Sequence, residues 1–177
     1  MPGPAKFLFR SNRLWFNRSP MWLCIVLTVL VACLLTGLGC NEPTPTPNPV
    51  RSISMKDFGE LLQSSSFTGL VAVVASWCAP CKTELPDLVK LHEQYHPRGI
   101  RIVALSIDEG GPQAIQPLID RLNVSFPVYW SGQQAVAVYN LVGIPTLIVV
   151  RDGKIAGKLP GQQSHRAMEQ TIQELLR

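Results

Sequence analysis

Hydrophobic and polar positions divide this chain into three regimes. From Met21 to Gly39 it carries no charge, and a run of that length can cross a bilayer as a helix. From Pro43 to Pro49 prolines alternate with small polar residues, a pattern that favours extended polyproline II and cannot continue a helix. Beyond residue 50, apolar runs of strand length alternate with stretches at helical spacing.

In that last regime Ser54 is placed to cap a short helix through about Leu62. Leu70 to Ala75 is a continuous valine-rich run, as expected of a strand buried on both faces. A helix is predicted from about Pro80 to His96, with Pro97 and Gly99 as its stop, and a second buried strand over Ile100–Ile107. Strand, helix, strand at this spacing predicts a right-handed crossover between parallel strands. After a loop over Asp108–Pro112, a helix is expected over Gln113–Leu122, an extended piece over Phe126–Tyr129 and a further helix over Gln133–Asn140. Thr146–Arg151, an Asp152-Gly153 turn and Lys154–Leu159 read as an antiparallel hairpin. An amphipathic helix over about Ser164–Leu176 closes the chain. The expected fold class is α/β, with a central mixed sheet flanked by helices and an added strand and helix near residues 126–140. The expected organisation is a leader over 1–40, a tether over 41–51 and one domain over 52–177.

Charge changes the picture of the leader. Lys6, Arg10, Arg13 and Arg18 are the only charged residues before Glu42, and they account for the formal net charge of +4. The rest is balanced, which leaves no electrostatic footprint for nucleic acid. Basic residues ahead of the apolar run hold the N-terminus in the cytoplasm, so the domain is expected on the extracytoplasmic side, bound to the membrane through its N-terminal segment. Leu30-Val31-Ala32-Cys33 resembles a bacterial lipobox. Gly37-Leu38-Gly39-Cys40 is a weaker match but is better placed, because Cys40 ends the apolar run. Cys40 is therefore the candidate lipid anchor, alongside an uncleaved transmembrane anchor.

Candidate chemistry gathers at Cys78-Ala79-Pro80-Cys81, where the first buried strand gives way to its helix. Unpaired N–H groups and the dipole of a helix N-terminus stabilise a thiolate at Cys78. Cys81 lies one turn on, close enough to attack a mixed disulfide. Pro80 suits a first helical turn. A structural zinc site would want a second pair of ligands, and Cys40 is the only other cysteine outside the apolar run. A static disulfide over so short a loop would constrain little of the unfolded chain. His92-Glu93-Gln94-Tyr95-His96 matches HExxH, but Pro97 ends that helix at once, and these residues read as surface groups at a helix end.

VAVVASWCAPCKTELPDL, IRIVALSIDE, FPVYW and VGIPTLIVVRDGKI, followed by a C-terminal helix, resemble the thioredoxin fold. More narrowly they resemble membrane-tethered thiol:disulfide oxidoreductases of the TlpA/ResA type, within the redoxin (AhpC/TSA-like) superfamily. The resemblance implies Cys78 as attacking thiolate, Cys81 as resolving thiol and Pro145 as a cis-proline facing the disulfide. It implies Glu84 as a carboxylate that tunes the cysteines and moves protons. Trp77, Ile144 and Thr146 would form the substrate surface. Thioredoxin's buried aspartate, six residues before the first cysteine, is replaced by Ala72. The implied activity needs no cofactor and no metal. Its implied partners are a disulfide-containing protein, with apocytochrome c as one possibility, and a transmembrane thiol electron donor. Three other activities fit the same residues less well. A disulfide-forming oxidase would want a histidine between the cysteines, copper handling a CxxxC spacing, and a thiol peroxidase a threonine or serine at position 75.

Overall fold

Strand-length apolar runs with no polar face have to be covered on both sides, and the computed structural model, which describes residues 48–63 and 67–177, places them at the centre of a mixed sheet. Its six strands are β1 (Arg51–Ser52), β2 (Gly69–Val74), β3 (Arg101–Ser106), β4 (Val128–Trp130), β5 (Thr146–Arg151) and β6 (Lys154–Pro160). They lie in the order β1-β4-β3-β2-β5-β6. The first four are mutually parallel; β5 and then β6 join antiparallel. Every residue of β2 is buried. The helices are α1 (Met55–Gln63), α2 (Ala79–Tyr95), α3 (Pro112–Arg121), α4 (Gln134–Val138) and α5 (His165–Leu175). α2 packs on α5 and β3, α5 also on β2, and α1 on α4. Phe58, Phe67, Leu85, Leu88 and Phe126 are among the fully buried side chains of the core between them.

Local chemistry sets the element ends. Ser54 and Ser164 cap α1 and α5, accepting the N–H groups of Asp57 at 3.1 Å and Ala167 at 3.3 Å. A single 3₁₀ turn follows α2 and stops at Gly99, whose φ of 89° suits glycine. Asp152 and Gly153 both take positive φ, as a two-residue hairpin turn requires.

One boundary differs from the sequence expectation. Asn48 to Arg51, assigned to the tether, are part of the folded domain. The Asn48 side-chain amide donates to the carbonyls of Val124 and Phe126 at 2.8 and 2.7 Å. Gln116 grips the same segment, accepting from the Val50 N–H at 2.8 Å and donating to the Asn48 carbonyl at 3.0 Å. Arg51 and Ser52 then pair with Tyr129 and Trp130 as an edge strand. Proline-rich composition hid this, because the acceptors lie more than seventy residues away. The apolar run at 21–39, Cys40 and the tether up to residue 47 lie outside the described residues. Among the described residues no helix is long and apolar enough to cross a membrane.

The topology brings several loops to one end of the sheet. β2 and β3 are parallel, so both end there. β5 runs the opposite way, with its first residue, Thr146, paired to Val73 near the end of β2. The segment 75–78, the loop after β3, the loop before β5 and the start of α2 therefore share that end.

Candidate active site

Cys78 is the N-cap of α2, with extended backbone angles. The chain reaches it through a tight turn closed by the Cys78 N–H on the Ala75 carbonyl at 3.1 Å. Pro80 occupies the first turn of the helix, where its missing N–H costs no intrahelical bond. Cys78 and Cys81 are joined as a disulfide with Cα atoms 5.3 Å apart. The Cys81 N–H donates to Cys78 Sγ at 3.2 Å, so the helix terminus offers a donor directly to the sulfur at its cap. The two cysteines are both buried, Cys78 at 4% exposure and Cys81 wholly. Trp77, beside Cys78, is 61% exposed.

Behind the disulfide, Glu84 follows Cys81 by three residues on α2 and so shares its face of the helix. Its side chain is buried. The Gln163 N–H, in the loop before α5, donates to Oε1 at 3.0 Å, while Oε2 has no hydrogen-bond partner among the described residues. Burial pushes this carboxyl up to about 6, and the Gln163 bond pulls more weakly the other way. Ala72, where thioredoxin carries its aspartate, is buried in β2. Glu84 is thus the buried acid of this helix face.

The loop before β5 completes the site. The Ile144–Pro145 peptide is cis, Pro145 is buried and Ile144 half-buried. Thr146 is buried, and its hydroxyl donates to the Gly143 carbonyl at 2.7 Å, which ties the loop across the proline. Val142, just upstream, is 91% exposed. Topology places Trp77, Cys78, Ile144 and Pro145 at the same end of the sheet, and Thr146 faces inward rather than outward. The HExxH histidines are elsewhere. His92 packs edge-on against Phe126 with centroids 5.7 Å apart and is half-buried, which departs from the expectation of a surface residue, while His96 is exposed.

One residue of the site escaped the sequence. Asp108, expected in a loop, is 1% exposed. Its carboxylate accepts the Ser76 N–H at 3.1 Å and the Ser76 hydroxyl at 2.6 Å, next to the CxxC motif. An acid directly after a buried strand, with a serine two residues before the first cysteine, was the available signal.

The AhpC/TSA family matches residues 48–158, more than half of the chain. The chain belongs to the AhpC/TSA family. A thiol-disulfide oxidoreductase ResA from Bacillus thuringiensis subsp. konkukian is 27% identical over 127 residues, covering 71% of this chain and 69% of that one. A ResA from Oceanobacillus iheyensis is 26% identical over 151 residues, covering 80% and 78%. Among solved structures, a thioredoxin-family thiol:disulfide interchange protein from Chlorobium tepidum superposes with a TM-score of 0.59 at 22% identity, covering 67% of this chain and 85% of that one. StoA from Bacillus subtilis gives 0.53 at 20% identity, covering 60% and 82%. These structures share its fold. This AhpC/TSA protein is a thioredoxin-like thiol–disulfide oxidoreductase of the TlpA/ResA type.

Proposed function

We propose that this protein is a reductase of protein disulfides, tethered to the membrane and working on the extracytoplasmic side. The observation that carries the reading is the asymmetry of the disulfide at the start of α2. Cys78 caps the helix and keeps 4% exposure, and Cys81 lies one turn on, wholly buried. In the reduced protein the Cys78 thiolate attacks one sulfur of a substrate disulfide, forming a mixed disulfide and releasing the other sulfur as a thiolate. Cys81, having given up its proton, then attacks Cys78 Sγ. The Cys78–Cys81 bond forms, the second substrate thiolate leaves, and two electrons have passed to the substrate. Glu84 is the acceptor for the Cys81 proton, a role that suits a buried carboxyl titrating at about 6. Trp77, Ile144 and the backbone around Pro145 form the surface against which the substrate lies, and Thr146 fixes that loop from within.

The direction of transfer is supported by the dipeptide between the cysteines. Ala79-Pro80 brings no charge or histidine to stabilise the Cys78 thiolate further, and weak thiolate stabilisation favours a reductant. The location is supported by the charge-free run at 21–39 behind four basic residues, with Cys40 as the acylation site. A transmembrane thiol donor returns two electrons to the pair after each turnover, and apocytochrome c disulfides are a candidate substrate class. Equilibrating the Cys78–Cys81 pair with dithiothreitol buffers tests the direction. A reductase should show a potential near that of thioredoxin, about −270 mV, or lower, whereas a value near about −120 mV would make it a disulfide donor.

A further inference from the structure

Among the described residues both oxygens of the Asp108 carboxylate accept hydrogen bonds. Oδ1 accepts the Ser76 hydroxyl at 2.6 Å and the Ser76 N–H at 3.1 Å; Oδ2 shares that N–H at 3.1 Å and accepts the Ser106 hydroxyl at 2.8 Å. With the side chain 1% exposed, a lost partner is not replaced by bulk water. Asp108 is itself fixed through its backbone. Its N–H donates to Ser106 Oγ at 3.2 Å, and its carbonyl accepts the Trp130 indole N–H at 2.7 Å. The ends of β3 and β4 thus meet at one residue, β4 through its backbone carbonyl, and that residue's side chain holds the segment leaving β2.

What it holds is the turn that carries Trp77. Ser76 and Trp77 are the two central residues between the Ala75 carbonyl and the Cys78 N–H, 3.1 Å apart. Fixing Ser76 at both its N–H and its hydroxyl leaves Trp77 little backbone freedom. Packing does not do this for Trp77, which is 61% exposed. Nothing in the chemistry of the two sulfurs requires a buried carboxylate at this distance along the chain. Presenting an exposed indole in a defined place beside Cys78 does require a rigid turn.

We infer that Asp108 is a positioning residue for polypeptide substrates: it clamps the Ala75–Cys78 turn so that Trp77 stands beside Cys78 where the chain around a target disulfide lies. The inference rests on the reading of Cys78 as the attacking sulfur and Trp77 as substrate surface. Asp108 touches neither sulfur.

The test uses the reduced full-length protein in a mild detergent and two oxidants, a peptide closed by an internal disulfide and the small reagent dithiobis(nitrobenzoate). Asp108→Asn keeps the shape but must turn an N–H₂ toward a donor. Asp108→Asn and Trp77→Ala should each slow reaction with the peptide about tenfold, and in Asp108→Asn reaction with the small reagent should change less than about twofold. The double variant should be about as slow as the slower single one, because both act through the same side chain. Ser76→Ala should show part of the loss and Ser76→Thr should restore it, and this pair decides the matter if the asparagine variant does not fold. Slowing by Trp77→Ala without slowing by Asp108→Asn would overturn the inference, as would equal losses on both oxidants or additive effects. An unchanged peptide rate in Trp77→Ala would overturn the substrate-surface reading and the inference with it. Peptide reduction by Cys78→Ser would instead overturn the assignment of the attacking sulfur.

Discussion

Glu84→Gln is expected to stabilise the oxidised protein at neutral pH and to leave it unchanged in acid. In the unfolded chain this carboxyl titrates near its ordinary 4.5, and in the fold burial raises it to about 6. Between those values the native state binds more protons than the unfolded one, so stability falls as pH rises through this window and is level above it. A rise from 4.5 to about 6 corresponds to about 2 kcal/mol at ~1.4 kcal/mol per pH unit. Glutamine avoids that cost, and its carbonyl can still accept the Gln163 N–H bonded at 3.0 Å. Its N–H₂ takes the place of Oε2, an atom with no partner among the described residues, so the gain should fall somewhat short of the full figure. Urea unfolding followed by tryptophan fluorescence at pH 4 and pH 7.5 measures it, and comparing variant with parent cancels the other titrating groups. The reasoning fails if the two proteins differ by the same amount at both pH values, or if the glutamine variant is the less stable at pH 7.5.

Gly69→Ala should be destabilised by about 3 kcal/mol or more, because an added Cβ would meet the Arg101 carbonyl oxygen at 1.8 Å between the two central strands. Soluble yield and the urea midpoint report it, and a midpoint equal to the parent's would refute the clash. Trp77→Ala should change stability by no more than about 0.5 kcal/mol, since the side chain is 61% exposed and such sites seldom contribute more. A large drop in its melting temperature would mean that the indole packs into the fold instead of facing substrate.

Much of this fold is legible because its central strands, β2, β3 and β5, are almost wholly buried. A strand such as β2 shows as an unbroken apolar run, and its predicted span, Leu70–Ala75, lies one residue from Gly69–Val74. The hairpin was equally plain, since Asp152-Gly153 admits few other conformations. Cys78 and Cys81 stood out through their place at a strand-to-helix junction. What stayed hidden depends on partners distant in sequence. β1 is two residues long and exists only through Tyr129 and Trp130, and Asn48 looks like linker until Val124 and Phe126 supply its acceptors. Asp108 reads as a loop acid because Ser76 lies 32 residues away. The position of Glu84 was legible, but not its depth, since an acid on a helix is ordinarily solvated; here the loop through Gln163 covers it.

The central claim is that Cys78 attacks and Cys81 resolves, and the most direct measurement is capture of the intermediate. Reduced Cys81→Ser protein, mixed with a disulfide-closed peptide and run without reductant, should accumulate a mixed disulfide that mass spectrometry places on Cys78. Reduced Cys78→Ser protein should give none. Accumulation through Cys81 in the Cys78→Ser protein, or no adduct in either variant, would contradict the account.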